Sequence, residues 1–201
     1  MASKTNFKKY LELTEGNIPA KTRYVNALFY AGDYYEVIKN VEEILAVDKS
    51  RSYMNRLAGY SYYEKKNADY DKALSYMEEL LKALPADRIL WKDHHYMARI
   101  LMKKNQNYSK LADELTSLQG QLEKEQSKYA SAPAATKPKL KPALDELTAK
   151  VETAKAKVEK ANREIYSGFA EYRKVLEIKP QDKGLLSEMA TNYYNVKRYD
   201  K

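Results

Sequence analysis

The chain has 201 residues, of which 44% are hydrophobic and 32% charged, and its formal net charge is +8. It contains no run of about 18 apolar residues, which excludes a membrane-crossing helix, and no cysteine, which excludes disulfides, thiol catalysis and thiolate metal sites. Glycine and proline are scarce at six each, and Val, Ile and Thr nowhere alternate with polar residues over a strand's length, so the expected fold class is all-α.

From the N-terminus, residues 1–17 carry an apolar ladder at Phe7, Tyr10, Leu11 and Leu13. "TRYVNALFYA" (22–31) then reads as a helix, Gly32 and Asp33 mark a turn, and Val37, Val41, Ile44 and Leu45 step by threes and fours along a second helix. The arrangement returns with "NRLAGYSYYEKK" (55–66), a turn, and the ladder Ala73, Met77, Leu80 and Leu81. It starts a third time with "WKDHHYMARILMKK" (91–104), a turn at "NQN" and Tyr108. Here the pattern changes to a seven-residue one: Leu111, Leu115, Leu118, Leu122 and Tyr129, interrupted by Glu125. After "ASAPAATKPKLKP" (130–142), Leu144, Leu147, Val151, Ala154, Val158, Ala161 and Ile165 repeat the same spacing. These are the core positions of a coiled coil, so the two arms are expected to zip into an antiparallel hairpin whose proline-containing tip is 130–142. An outgoing arm of about 20 residues at 1.5 Å each predicts a projection of roughly 30 Å. "AEYRKVLEIKPQD" (170–182) resumes the earlier spacing through Tyr172, Val175, Leu176 and Ile178 and stops at Pro180, and Met189, Ala190 and Tyr193 follow in residues 183–201.

Two amphipathic helices in a unit of about 34 residues, repeated in series, form a solenoid signature. Through Gly32, Asp33 and Tyr34 in residues 18–51, and Gly59, Tyr62, Tyr70, Ala73 and Pro85 in residues 52–87, the sequence resembles the tetratricopeptide repeat (TPR) family. Val25 and Lys49 depart from the pattern. The resemblance implies a TPR-like α-solenoid: a half repeat, two full repeats and the first part of a third in 1–111, the coiled-coil hairpin inserted at 112–168, and the rest of the third repeat with helix A of a fourth in 169–201. One helix B is thus split and drawn out into the hairpin. Because both ends read as half units and stacked repeats need covered end faces, the chain is expected to be a segment of a longer protein.

Catalytic chemistry finds no foothold. His94 and His95 are adjacent on a helix and diverge by about 100°, so they do not chelate one metal as an i, i+4 pair would. Glu42/Glu43 and Glu78/Glu79 occupy equivalent positions and read as a solvated face. No phosphate-binding loop and no nucleophile with a base is visible, so no enzyme activity and no cofactor is expected. Most of the nineteen tyrosines fall at helix-packing positions.

The resemblance implies that helix A of each unit lines a concave groove for a protein or peptide. The groove candidates are Asn26, Phe29, Tyr30, Arg56, Tyr60, Tyr63, Lys92, His95, Arg99 and Tyr194, with Thr22, Tyr53, Met102, Ser187 and Thr191 beside them. The family's clamp for a terminal carboxylate is matched only by Asn26 and Lys92, whereas Thr22, Leu57 and Tyr96 depart from it, so that clamp is not expected. Residues 88–110 hold Arg88, Lys92, Arg99, Lys103, Lys104 and Lys110 against Asp93 alone, which points to an acidic or polar partner segment. The alternatives are nucleic-acid binding through that basic segment and a purely structural arm in a larger assembly. A nucleic-acid binder calls for a longer basic stripe than this. A resemblance to bacterial envelope-associated repeat proteins implies a periplasmic or envelope address, with the cytoplasm as the alternative.

Overall fold

The computed structural model describes residues 6, 9, 11–14 and 17–196. Among these the chain is all-α with no strand, and its helices are α1 (Ile18–Tyr30), α2 (Tyr34–Val47), α3 (Asn55–Glu64), α4 (Tyr70–Ala83), α5 (Trp91–Lys104), α6 (Tyr108–Ser131), α7 (Lys137–Ile178) and α8 (Lys183–Asn195). None is long and apolar enough to cross a membrane. Phe7, Tyr10 and Tyr199 lie outside the described residues. Leu11 packs against the core beside α1, but Leu13 is 77% exposed, because positions two apart lie on opposite sides of a helical turn.

The chain forms two compact units, Met1–Lys104 with Glu171–Pro180, and Asn105–Ala170 with Gln181–Lys201. In the first, each of α1 to α4 packs on the next, α4 packs on α5, and α3 also touches both α1 and α5. The ladders supply the contact: Val37, Val41 and Ile44 are buried with Val25, Leu28 and Met54, and Ala73, Met77 and Leu80 with Tyr60, Met97 and Ile100. Each large aliphatic side chain buried this way contributes about 1.5–3 kcal/mol. The last turns of α7 complete this unit against α5, where His94 Nδ1 lies 2.5 Å from Glu171 Oε2 and the His95 ring meets that of Tyr172, which is fully buried.

Local chemistry sets the helix ends. Asn17, Asp69 and Asp182 cap α1, α4 and α8 by accepting the N–H of Ala20, Lys72 and Leu185. Helix α1 closes with Gly32 at φ +75°, the Gly32 N–H donating to the Phe29 carbonyl and the Asp33 N–H to that of Leu28. This double closure needs a left-handed residue, and glycine takes that conformation without a Cβ clash. Gly59 has a different use. A Cβ there would stand 2.8 Å from Met77 Sδ and 2.9 Å from its Cγ, so the bare backbone is what lets α3 approach α4.

In the second unit, Leu111, Leu115, Leu118, Leu122, Glu125 and Tyr129 on α6 are half-buried among mostly exposed neighbours. Val151, Ala161 and Ile165 on α7 are buried and Leu144, Leu147, Ala154 and Val158 half-buried, with nearly all residues between them exposed. The break between the arms is narrower than the prolines suggest, since only residues 132–136 are non-helical. Pro138 falls in the first turn of α7, where its missing N–H would have had no helical acceptor, and Pro142 lies inside the helix. Helix α8 packs on α7 through the Phe169 and Tyr193 rings, stacked 3.8 Å apart at 4°.

Replacing Gly59 with Val is expected to lower stability by about 2 kcal/mol through overpacking against Met77. Gly120→Ala on α6, where an added Cβ meets nothing within 4 Å, should gain up to about 1 kcal/mol. Urea unfolding of the two variants beside the parent chain checks both signs.

Candidate functional site

Helix α5 begins without a side-chain cap on Leu90, and Asp93, in its first turn, does that work from inside. Its Oδ2 accepts the Leu90 N–H at 2.7 Å. The same carboxylate takes Arg56 Nε on Oδ1 and Nη2 on Oδ2, both at 2.7 Å, and the Tyr60 hydroxyl on Oδ1 at 2.7 Å. Arg56 Nη2 also donates to the Arg88 carbonyl at 3.0 Å. Asp93 has no exposed surface, so this ion pair and its hydrogen bonds join α3 to the start of α5 in a dry setting. The hydrogen bond and charge of Asp93 hold the Arg56 guanidinium above its ordinary pKa. Burial pushes the Tyr60 phenol up, and the negative charge of Asp93 pushes it further.

Aromatic rings extend the connection. Phe29 on α1 meets Tyr60 at 6.0 Å, Tyr60 stacks on Tyr96 at 3.7 Å, and Tyr96 meets Tyr63 edge-on at 5.6 Å. Arg99 lies 5.0 Å over the Tyr63 ring, and the Tyr96 hydroxyl donates to Glu64 at 2.8 Å. A second carboxylate is shared on the other side of α3, where the Tyr62 and Tyr76 hydroxyls both donate to Glu42 Oε1, at 2.9 and 3.1 Å. Glu43 pairs with Lys21. Glu42, Glu43, Glu78 and Glu79 are all exposed, as the sequence suggests, and the neighbouring helices also bring hydroxyl and ammonium donors to Glu42 and Glu43. Burial raises the Tyr62 phenol to about 12, and raises Tyr76 and Tyr96 as well.

The expected groove residues divide into three sets. Asn26 and Lys92 are exposed, and Tyr30 is 87% exposed. Phe29, Tyr63, His95 and Arg99 are half-buried, and His95 is stacked beside Trp91. Tyr60 is only 5% exposed and Arg56 is committed to Asp93, so these two are anchors of the fold before they are contact residues. Met102 is buried too. Tyr194, on α8 in the second unit, is 67% exposed. The residue the sequence reading passed over is Asp93, taken there as a lone acid in a basic segment. The local sign of its role is an acid in the first turn of a helix whose preceding residue, Leu90, cannot cap. Among the described residues no three His, Asp or Glu side chains gather as a metal ligand set.

Comparison with models of known protein families gives no match, and comparison with curated proteins gives none.

Asp93→Ala is expected to cost about 3–5 kcal/mol, since it strands the half-buried Arg56 charge. The midpoint shift in chemical denaturation measures it. Alkali gives an independent check. A phenol held protonated by the fold stabilises fully below its unfolded pKa of about 10 and loses that contribution as pH climbs from there through the raised folded value. Stability should therefore fall steeply above about pH 10, and Tyr60→Phe should make the fall shallower, as read by thermal unfolding across an alkaline pH series.

Proposed function

We propose that the chain is a non-enzymatic, TPR-like interaction scaffold that holds an acidic or polar segment of another protein against the exposed side of α1, α3 and α5. The α6–α7 hairpin then serves as a spacer or a second contact. The supporting observation is how charge is divided between alternate helices. Helices α1, α3 and α5 carry seven basic residues (Lys21, Arg23, Arg56, Lys92, Arg99, Lys103, Lys104) against Glu64 and Asp93, and Asp93 is wholly buried. Helices α2 and α4 reverse the balance, with three basic residues, Lys39, Lys72 and Lys82, against six acids. Part of this division is satisfied within the fold, through Lys21 to Glu43 and Lys104 to Asp71. The remainder leaves Lys92, Asn26 and the prominent Tyr30 exposed on the basic helices, and an exposed tyrosine ring is a usual interface anchor.

Nucleic acid is a weaker fit for the basic segment. Arg99 is seated on Tyr63 and Lys104 on Asp71, which leaves a short run of free cations there for phosphates. Because Tyr60 anchors the core, a face variant has to spare it. Tyr30→Ala combined with Lys92→Glu should weaken capture of a specific protein partner by about thirtyfold, the loss of one anchor worth roughly 2 kcal/mol. Lys155→Glu with Lys160→Glu on the exposed surface of α7 should leave capture intact if the hairpin is a spacer. Quantitative affinity capture from native extract, with and without nuclease, reads both. Loss only in the α7 variant would move the contact to the hairpin, and nuclease-sensitive capture would favour nucleic acid.

A further inference from the structure

The short 3-10 segment Lys49–Met54, the end of α4 and the turn ahead of α5 border an open cleft of about 520 Å³, within the size range of ligand pockets. Its walls include Ser52, Tyr53, Arg56, Leu84, Pro85 and Arg88, with no carboxylate among the lining residues. The two guanidiniums differ. Arg56 spends Nε and Nη2 on Asp93, which neutralises its charge and fixes its plane, leaving Nη1 outside that fork. Arg88 is exposed, and its guanidinium makes no ion pair or hydrogen bond among the described residues. Of the acids nearest in sequence, Asp48 is held by Ser50 and Arg51, and Asp87 precedes Arg88 on the same turn.

We propose that this cleft is a specificity pocket for one acidic side chain of the bound protein segment. Arg88 supplies the unmatched positive charge, Arg56 a pre-oriented N–H edge, and Leu84 with Pro85 an apolar wall for the side-chain stem. One uncompensated cation beside an apolar wall suits a single carboxylate on an aliphatic stem. A phosphate dianion would need more charge than the cleft has left over. The inference rests on the scaffold reading and adds to it a defined pocket and a required residue type.

The test is selection of a random dodecapeptide display library on the full chain, followed by affinity measurement of the selected peptides. Selected peptides should carry Asp or Glu beside an apolar residue. Changing that acid to its amide should weaken binding at least tenfold, and Arg88→Glu should do the same, with Arg88→Lys retaining part of the affinity. Helical circular dichroism of the Arg88 variants is expected to match the parent, because that side chain is exposed. Peptides that bind Arg88→Glu as tightly as the parent but lose affinity to Tyr30→Ala would overturn the pocket and leave the scaffold reading standing. A selection that yields no binding peptide would overturn both.

Discussion

A carboxylate removed from water must find its hydrogen bonds inside the protein, and Asp93 finds four, from a backbone amide, two guanidinium nitrogens and a phenol. Each donor fixes something. The Leu90 amide starts α5, the Arg56 fork orients α3 toward that start, and the Tyr60 hydroxyl places the ring that stacks on Tyr96. Such a group adds little net stability compared with an apolar filling, but it penalises every arrangement in which one donor is displaced. The relative placement of α3 and α5 therefore depends on it, and so do the side chains those helices present to solvent.

At the opposite side of α3, Tyr62 and Tyr76 lie stacked and share one oxygen of Glu42, a carboxylate that itself stays exposed. A core with many tyrosines gains large ring surfaces but must satisfy every hydroxyl. This chain answers with carboxylates placed at the boundary between helices. Glu42 on α2, Glu64 on α3 and Asp93 on α5 thus act as acceptors for the packing rings, and Asp93, wholly buried, is lost to the exposed charge balance.

The helices were readable because each one's apolar stripe is a local property, with period and turn residues written in consecutive positions. Val37, Val41 and Ile44, or Leu144 through Ile165, announce their burial in any window of two turns. Pro142 shows the limit of local rules, since a helix of 42 residues absorbs one missing hydrogen bond near its start. The candidate face was less readable. Tyr60 and Tyr30 have the same character in a propensity table, yet one is nearly buried and the other stands almost fully in solvent. What separates them is a neighbour 33 residues away in the chain, Asp93, and no local pattern carries that distance. The arginines divide for the same reason: Arg56 is claimed by that acid, whereas Arg88, three residues after Pro85, is not.

Trp91 is the chain's single tryptophan, and three groups gather at its ring: the Lys179 ammonium 3.7 Å from its centre, the stacked His95 imidazole, and the Lys92 ammonium on its own helix. Lys179 follows directly after α7, so its place at the indole depends on residues far apart in sequence having met. A positive charge held over an indole perturbs its excited state. The fluorescence of this one residue is therefore a built-in optical gauge of whether the chain's late turns are seated on α5, readable without any label.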